Sequence, residues 1–125
     1  YTAADLNWHD NQSRSSVEMK DPACRPGIAG ELPDLTRYDT VFVGFPIWWY
    51  QAPRIIETFL ASCDFSGKRV VPFATSGGSG MGRTEEILKK SCPTKAVFLP
   101  GRRFDSGASL AAIRNWLNAL ELSKK

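Results

Sequence analysis

Apolar side chains crowd one short stretch of this chain. Val41, Phe42, Val43 and Phe45 follow one another with no polar residue between them. An apolar run without alternation predicts a strand over residues 40–45 that is covered on both faces, as in a parallel sheet. Gly44 and Pro46 interrupt the strand pattern. A helix is predicted over 53–63, where Pro53 suits the first turn and Ile55, Ile56, Phe59, Leu60 and Cys63 recur at helical spacing. Residues 64–68 read as a turn. Val70, Val71, Phe73 and Ala74 predict a second strand, against which Pro72 counts, because proline has no N–H for the ladder. A short helix follows over 84–91, with Glu85 and Glu86 in the first turn, where the helix dipole favours acids. Residues 96–99 predict a third strand. The last helix is expected over 109–122, with Ser109 as N-cap and Leu110, Ile113, Leu117 and Leu120 as its buried stripe.

Strands alternating with helices predict an α/β fold, with a parallel sheet and right-handed crossovers. The βαβαβα pattern occupies residues 40–125. Residues 1–39 lack hydrophobic periodicity. Asp5, Asn7, Asp10, Asn11, Ser13, Ser15 and Ser16 come close together, and Pro22, Pro26 and Pro33 follow. This reads as a long irregular segment with one helical turn near 2–6, and the whole chain reads as one domain. A loop of that length opening a compact domain is unusual.

Composition narrows the function classes. Of 125 residues, 42% are hydrophobic and 23% charged, which is ordinary for one globular domain. The net charge of +3 comes from scattered residues and gives no basic patch of the kind that binds nucleic acid. No stretch reads as a signal peptide or membrane span. Cys24, Cys63 and Cys92 are odd in number and far apart, and His9 is the single histidine. Structural zinc, Cys–His catalysis and Ser–His–Asp catalysis are poorly supported by that inventory. Free thiols suit a reducing compartment, and cytoplasm is expected.

Two loops carry candidate chemistry. Pro46, Ile47, Trp48, Trp49 and Tyr50 follow the first strand directly. Ligands sit at that end of strands in open α/β sheets, and three adjacent aromatics suit a platform for a flat aromatic ring. Such stacking is worth about 0.5–1.5 kcal/mol beyond area burial. The competing reading is that the tryptophans cap the core or fill a contact between chains. Thr75, Ser76, Gly77, Gly78, Ser79 and Gly80 follow the second strand. Their backbone N–H groups and small hydroxyls suit an anion or the polar edge of a ring, while the plainer reading is a flexible connection. The glycines fit neither a Walker A loop, nor G-x-S-x-G, nor the dinucleotide fingerprint.

Taken together, Tyr38-Asp39-Thr40-Val41-Phe42-Val43-Gly44-Phe45-Pro46-Ile47-Trp48-Trp49 and Phe73-Ala74-Thr75-Ser76-Gly77-Gly78-Ser79-Gly80 resemble the flavodoxin family, in its small bacterial members. The likeness extends to Asp64-Phe65-Ser66-Gly67-Lys68, to the opening Tyr1-Thr2-Ala3-Ala4-Asp5-Leu6-Asn7-Trp8, and to Arg14, Ser15, Ser16, Glu18, Arg25 and Pro26. It implies a three-layer fold and an FMN-binding electron carrier that serves a redox partner protein or a small electron acceptor. In the family, the loop matching Pro46, Ile47, Trp48, Trp49 and Tyr50 flanks the isoalloxazine ring. The loop matching Thr75, Ser76, Gly77, Gly78, Ser79 and Gly80 contacts its pyrimidine edge. The chemistry belongs to the flavin, so no catalytic side chain and no metal is called for. A flavin-dependent NAD(P)H:quinone-type reductase would use the same site.

The sequence departs from the family at its start, where members carry a strand, a Ser/Thr-rich phosphate loop and a helix. The expectation is therefore a truncated flavodoxin-like fold. Strand 40–45 would stand third in a sheet ordered 2-1-3-4-5 with its first strand, first helix and second strand absent. FMN would then be weakly held or absent, with Arg83, Arg102 and Arg103 as the charges left to face a phosphate. The uncovered edge 41–45 would pair with another chain as a dimer or larger homo-oligomer. A cofactor-free domain with a structural or self-association role is the alternative.

Overall fold

The computed structural model describes residues 1–76, 80–105 and 107–120. Its centre is a parallel sheet. β1 (Thr40–Pro46) runs beside β2 (Arg69–Thr75), from Thr40 opposite Arg69 to Pro46 opposite Thr75. On its other side β2 meets two short strands in succession. β3 (Val97–Phe98) pairs with Arg69 and Val70, and β4 (Arg102–Phe104) pairs with Phe73, Ala74 and Thr75. α2 (Arg54–Ser62) connects β1 to β2, and α3 (Thr84–Ser91) connects β2 to β3. α4 (Leu110–Ala119) follows β4, and α1 (Arg14–Lys20) precedes the sheet.

Strand alternation divides the core in two. Val43, Phe45, Val70 and Ala74 face Leu60 of α2, Leu88 of α3 and the buried Phe65. On the opposite face Val71, Phe73 and Phe104 meet Trp116 of α4. Helices thus cover both faces of the sheet, as the alternating pattern predicts. Coverage is incomplete at β1, where Phe42 stays 40% exposed. Among the described residues β1 pairs only with β2, so its other edge is open.

The structure accounts for Pro72. This residue is buried in the central strand, opposite Val43. Its other side faces the gap between β3 and β4, and a Cβ on Gly101 would lie 2.7 Å from the Pro72 carbonyl oxygen. The missing N–H therefore falls where the neighbouring ladder is already interrupted. Leu99 N–H still donates to Val70 O at 2.9 Å, and Gly101 N–H donates instead to Glu85 Oε1 at 2.9 Å. The strand expected over 96–99 is the short β3, and β4 is a further strand beyond its end.

Three other expectations need correction. Residues 1–39 are not irregular throughout, because α1 forms there. Ser13 Oγ caps it by accepting from Ser16 N–H, and Arg14 pairs with Glu18 at i,i+4. The buried face of α1 consists of Ser15, Ser16, Glu18 and Met19, so it escapes a search for apolar periodicity. On α4, Ser109 is the N-cap as expected, accepting from Ala112 N–H at 3.1 Å. Trp116 takes the innermost position on that helix, while Leu110 and Leu117 are exposed. The bulkier ring wins because it meets Phe42, Phe73 and Phe104 at centroid distances of 6.0, 6.0 and 5.2 Å. On α2 the most buried positions include Arg54 and Glu57 beside Leu60. Among the described residues, no helix is long and apolar enough to cross a membrane.

Candidate functional site

β1 ends by delivering the backbone into a tight two-residue turn. Trp48 N–H donates to Gln51 O at 2.8 Å, and Gln51 N–H returns a bond to Trp48 O at 3.0 Å. The two residues enclosed, Trp49 and Tyr50, have φ of +46° and +66°. Two adjacent non-glycine residues in the left-handed region cost about 1–2 kcal/mol each. The surroundings hold them there. Tyr50 O accepts from Thr84 Oγ1 at 3.5 Å, and Gln51 Oε1 accepts from Arg54 Nη1 at 3.0 Å. Backbone strain of this kind tends to gather at functional sites.

The turn presents its rings to solvent. Trp49 is 44% exposed and Tyr50 70%, while Trp48 is half-buried. Trp48 meets the ring of Tyr1 edge-on at 5.3 Å. Beside the turn lies a cavity of about 390 Å³, lined by Leu6, Trp8, Ser15, Ile47, Trp48, Trp49 and Tyr50. The opening segment thus supplies part of the wall. Local pattern does not mark this segment as part of a site, although Tyr1 and Trp8 are conspicuous aromatics in a polar stretch.

One shared carboxylate holds that segment down. Glu57 Oε1 accepts from Arg54 Nη1 at 3.1 Å, and its Oε2 lies 2.8 Å from Arg25 Nη2 and 3.1 Å from Ser91 Oγ. Arg54 in turn donates to Glu18 O and Met19 O at the end of α1. Both members of the Arg54–Glu57 pair are almost fully buried. Near the cavity, Glu18 accepts from the Tyr1 phenol at 2.5 Å and from Arg14 Nε at 2.6 Å, and the Arg14 guanidinium lies over the Tyr1 ring. Burial first, and then the bond to Glu18, push the Tyr1 phenol well above its ordinary range.

The two predicted loops adjoin where their strands end. Pro46 stands opposite Thr75, and Ile47 N–H donates to Thr75 O at 3.1 Å. Ser76 N–H donates to Phe104 O at 3.2 Å. Gly77, Gly78 and Ser79 lie outside the described residues, and Gly80 is exposed. Arg103, expected as a charge for a phosphate, is engaged elsewhere. Its Nε donates to Ser76 Oγ at 2.8 Å, its Nη2 donates to Ser76 O at 2.9 Å, and it pairs with Asp105 at 2.5 Å. Arg83 pairs with Glu86, and Arg102 lies over the Phe104 ring. The aromatic side chains that line the cavity suit a flat ring. These three arginines are turned to protein partners.

The family model described as Flavodoxin matches residues 1–120. Two solved structures resemble the chain closely. A candidate flavoprotein from Bacteroides eggerthii shares 48% identity at a TM-score of 0.85, covering 98% of this chain and 76% of the other. A candidate flavoprotein from Bacteroides uniformis shares 50% identity at a TM-score of 0.86, covering 94% and 74%. No curated protein matches.

Proposed function

The chain belongs to the flavodoxin family, and from that premise we propose that it binds the isoalloxazine ring of FMN at the end of β1 and serves in electron transfer. The observation that carries this reading is the strained turn, which holds Trp49 and Tyr50 exposed beside a cavity of aromatic character. When bound, the flavin would supply one- and two-electron redox chemistry. The protein's part is to hold the ring between aromatic side chains from 46–50 and to offer its polar edge the hydroxyl and amide groups of 75–80. Water would be kept from one side by Leu6, Trp8 and Ile47. The acceptor would be a redox partner protein or a small molecule. The test is titration with FMN, followed by flavin fluorescence and gel filtration. Retained yellow colour at one flavin per chain supports the reading, and failure to take up FMN overturns it. Turnover of NADH or NADPH with a quinone would separate a reductase from a carrier. The free thiols Cys24, Cys63 and Cys92 favour a reducing compartment such as the cytoplasm.

The open edge of β1 favours a second reading, self-association through this strand, in which cofactor binding plays no necessary part. Phe42 is exposed there, beside an apolar cavity of about 500 Å³ that also includes Phe73, Phe104, Trp116 and Leu117. Unpaired edges invite pairing with another chain. Gel filtration with light scattering should give a dimer or larger species at micromolar concentration. A monomer there removes this reading.

A further inference from the structure

Trp49 has a second neighbour cavity. One of about 450 Å³ is lined by Trp8, His9, Asn11, Ser16, Met19, Lys20 and Trp49. Trp8 and Trp49 are thus shared between this slot and the cavity assigned above to the flavin ring. Trp8 is 62% exposed, and its indole stacks on the His9 imidazole with centroids 3.8 Å apart and planes 30° apart. Leaving two large indoles in water beside a cavity is unfavourable unless something covers them. The buried Met19 belongs to the same lining and adds a polarisable thioether.

Charge selects the ligand. Among the described residues the lining contains no acid and one ammonium, Lys20. Lys20 Nζ donates to Asn11 O at 3.4 Å, which leaves donors free, since an ammonium has three. The acids next in sequence are turned to backbone amides. Asp10 Oδ1 accepts from Gln12 N–H, and Asp21 Oδ1 accepts from Ala23 N–H.

We propose that this slot binds a planar aromatic anion, stacked against the indoles with its negative group at Lys20. Its use as the site of a small electron acceptor rests on the flavin reading, while its binding capacity does not. The probe is anthraquinone-2-sulfonate, titrated calorimetrically into flavin-free protein and separately into protein saturated with FMN. Saturable binding is expected in both, weakening as salt is raised. Lys20→Met should weaken it about tenfold, Lys20→Arg should retain it, and FMN affinity should be unchanged in both variants. Absence of binding, or equal affinity for wild type and Lys20→Met, overturns the proposal. So does one-for-one displacement of FMN by the probe, since the slot would then be the flavin's own. Failure of the flavin reading shows separately, as absence of FMN uptake while the sulfonate still binds.

Discussion

Single residues at the end of β1 carry conflicting demands. Gly44 lies opposite Phe73, and a Cβ placed on it would stand 2.3 Å from Phe73 Cζ. The ring therefore occupies the space a side chain would need. Gly44→Ala should destabilise by about 1–3 kcal/mol, as overpacking does. Urea titration should show that loss, and adding Phe73→Leu should recover part of it. A fully stable Gly44→Ala would mean that Phe73 is free to leave. The neighbouring tryptophans differ in how they are held. Trp48 is braced by Tyr1, whereas Trp49 projects from a strained turn. Loss of one stack at about 0.5–1.5 kcal/mol corresponds to a complex weaker by roughly twofold to thirteenfold. That weakening is expected for FMN with Trp49→Ala, and also with Trp48→Ala, because both line the cavity. Unchanged affinity in both variants would return the two indoles to a packing role.

Among the elements, the attachment of α1 to α2 is the most exposed to electrostatic perturbation. Glu57 neutralises Arg54 in a nearly dry position, while Arg54 also holds the carbonyls of Glu18 and Met19. Removing one member of a buried pair leaves the other charge uncompensated, at a cost of about 3–5 kcal/mol. Glu57→Ala should lower the urea midpoint accordingly and open residues 1–25 to limited proteolysis. Protection equal to wild type would show that this segment is held by other contacts. The bond from Tyr1 to Glu18 gives the same segment a pH dependence. Its phenol has a raised folded-state pKa, so the folded state favours the protonated form. The associated stability is fully present below the ordinary tyrosine value of about 10 and is lost as pH rises beyond it. Protease sensitivity of the segment should rise in that alkaline range. Tyr1→Phe should remove the alkaline step, and its persistence in that variant would assign it to another group. Asp5, Asp34 and Asp64 shift the other way, each held down by hydrogen bonds from neighbouring backbone and hydroxyl groups, so their turns loosen only in acid.

At the scale of the whole molecule, legibility follows from how each part is stabilised. The α/β alternation was readable because β1 and β2 carry contiguous apolar residues and α2 packs Ile56, Phe59 and Leu60 on the core, while α3, which buries little beyond Leu88, was marked by the acids of its first turn and matches its expected bounds of 84–91. β4 was not, since Arg102 and Arg103 look polar and only Phe104 is buried. α1 escaped because serines and a glutamate form its inner face. The turn over 46–50 was legible as a site from its aromatics, but its walls at Leu6, Trp8 and Ser15 belong to a segment tied down by the Arg25–Glu57 pair and by Arg54 on the Glu18 and Met19 carbonyls, which local pattern does not encode. Burial also ranks the helices. Leu60→Ala should cost about 2–5 kcal/mol, because Leu60 is fully buried in the layer under α2 and α3. Leu110→Ala, at an exposed position of the expected α4 stripe, should stay within about 0.5 kcal/mol. Comparable losses would place Leu110 in an interface. The four tryptophans are also unevenly distributed. Trp8, Trp48 and Trp49 surround one cavity, while Trp116 lies alone among phenylalanines on the opposite face. The protein therefore carries two optical reporters. Trp116→Phe would leave tryptophan emission that comes wholly from the site, and a variant retaining only Trp116 would glow or dim with the docking of α4.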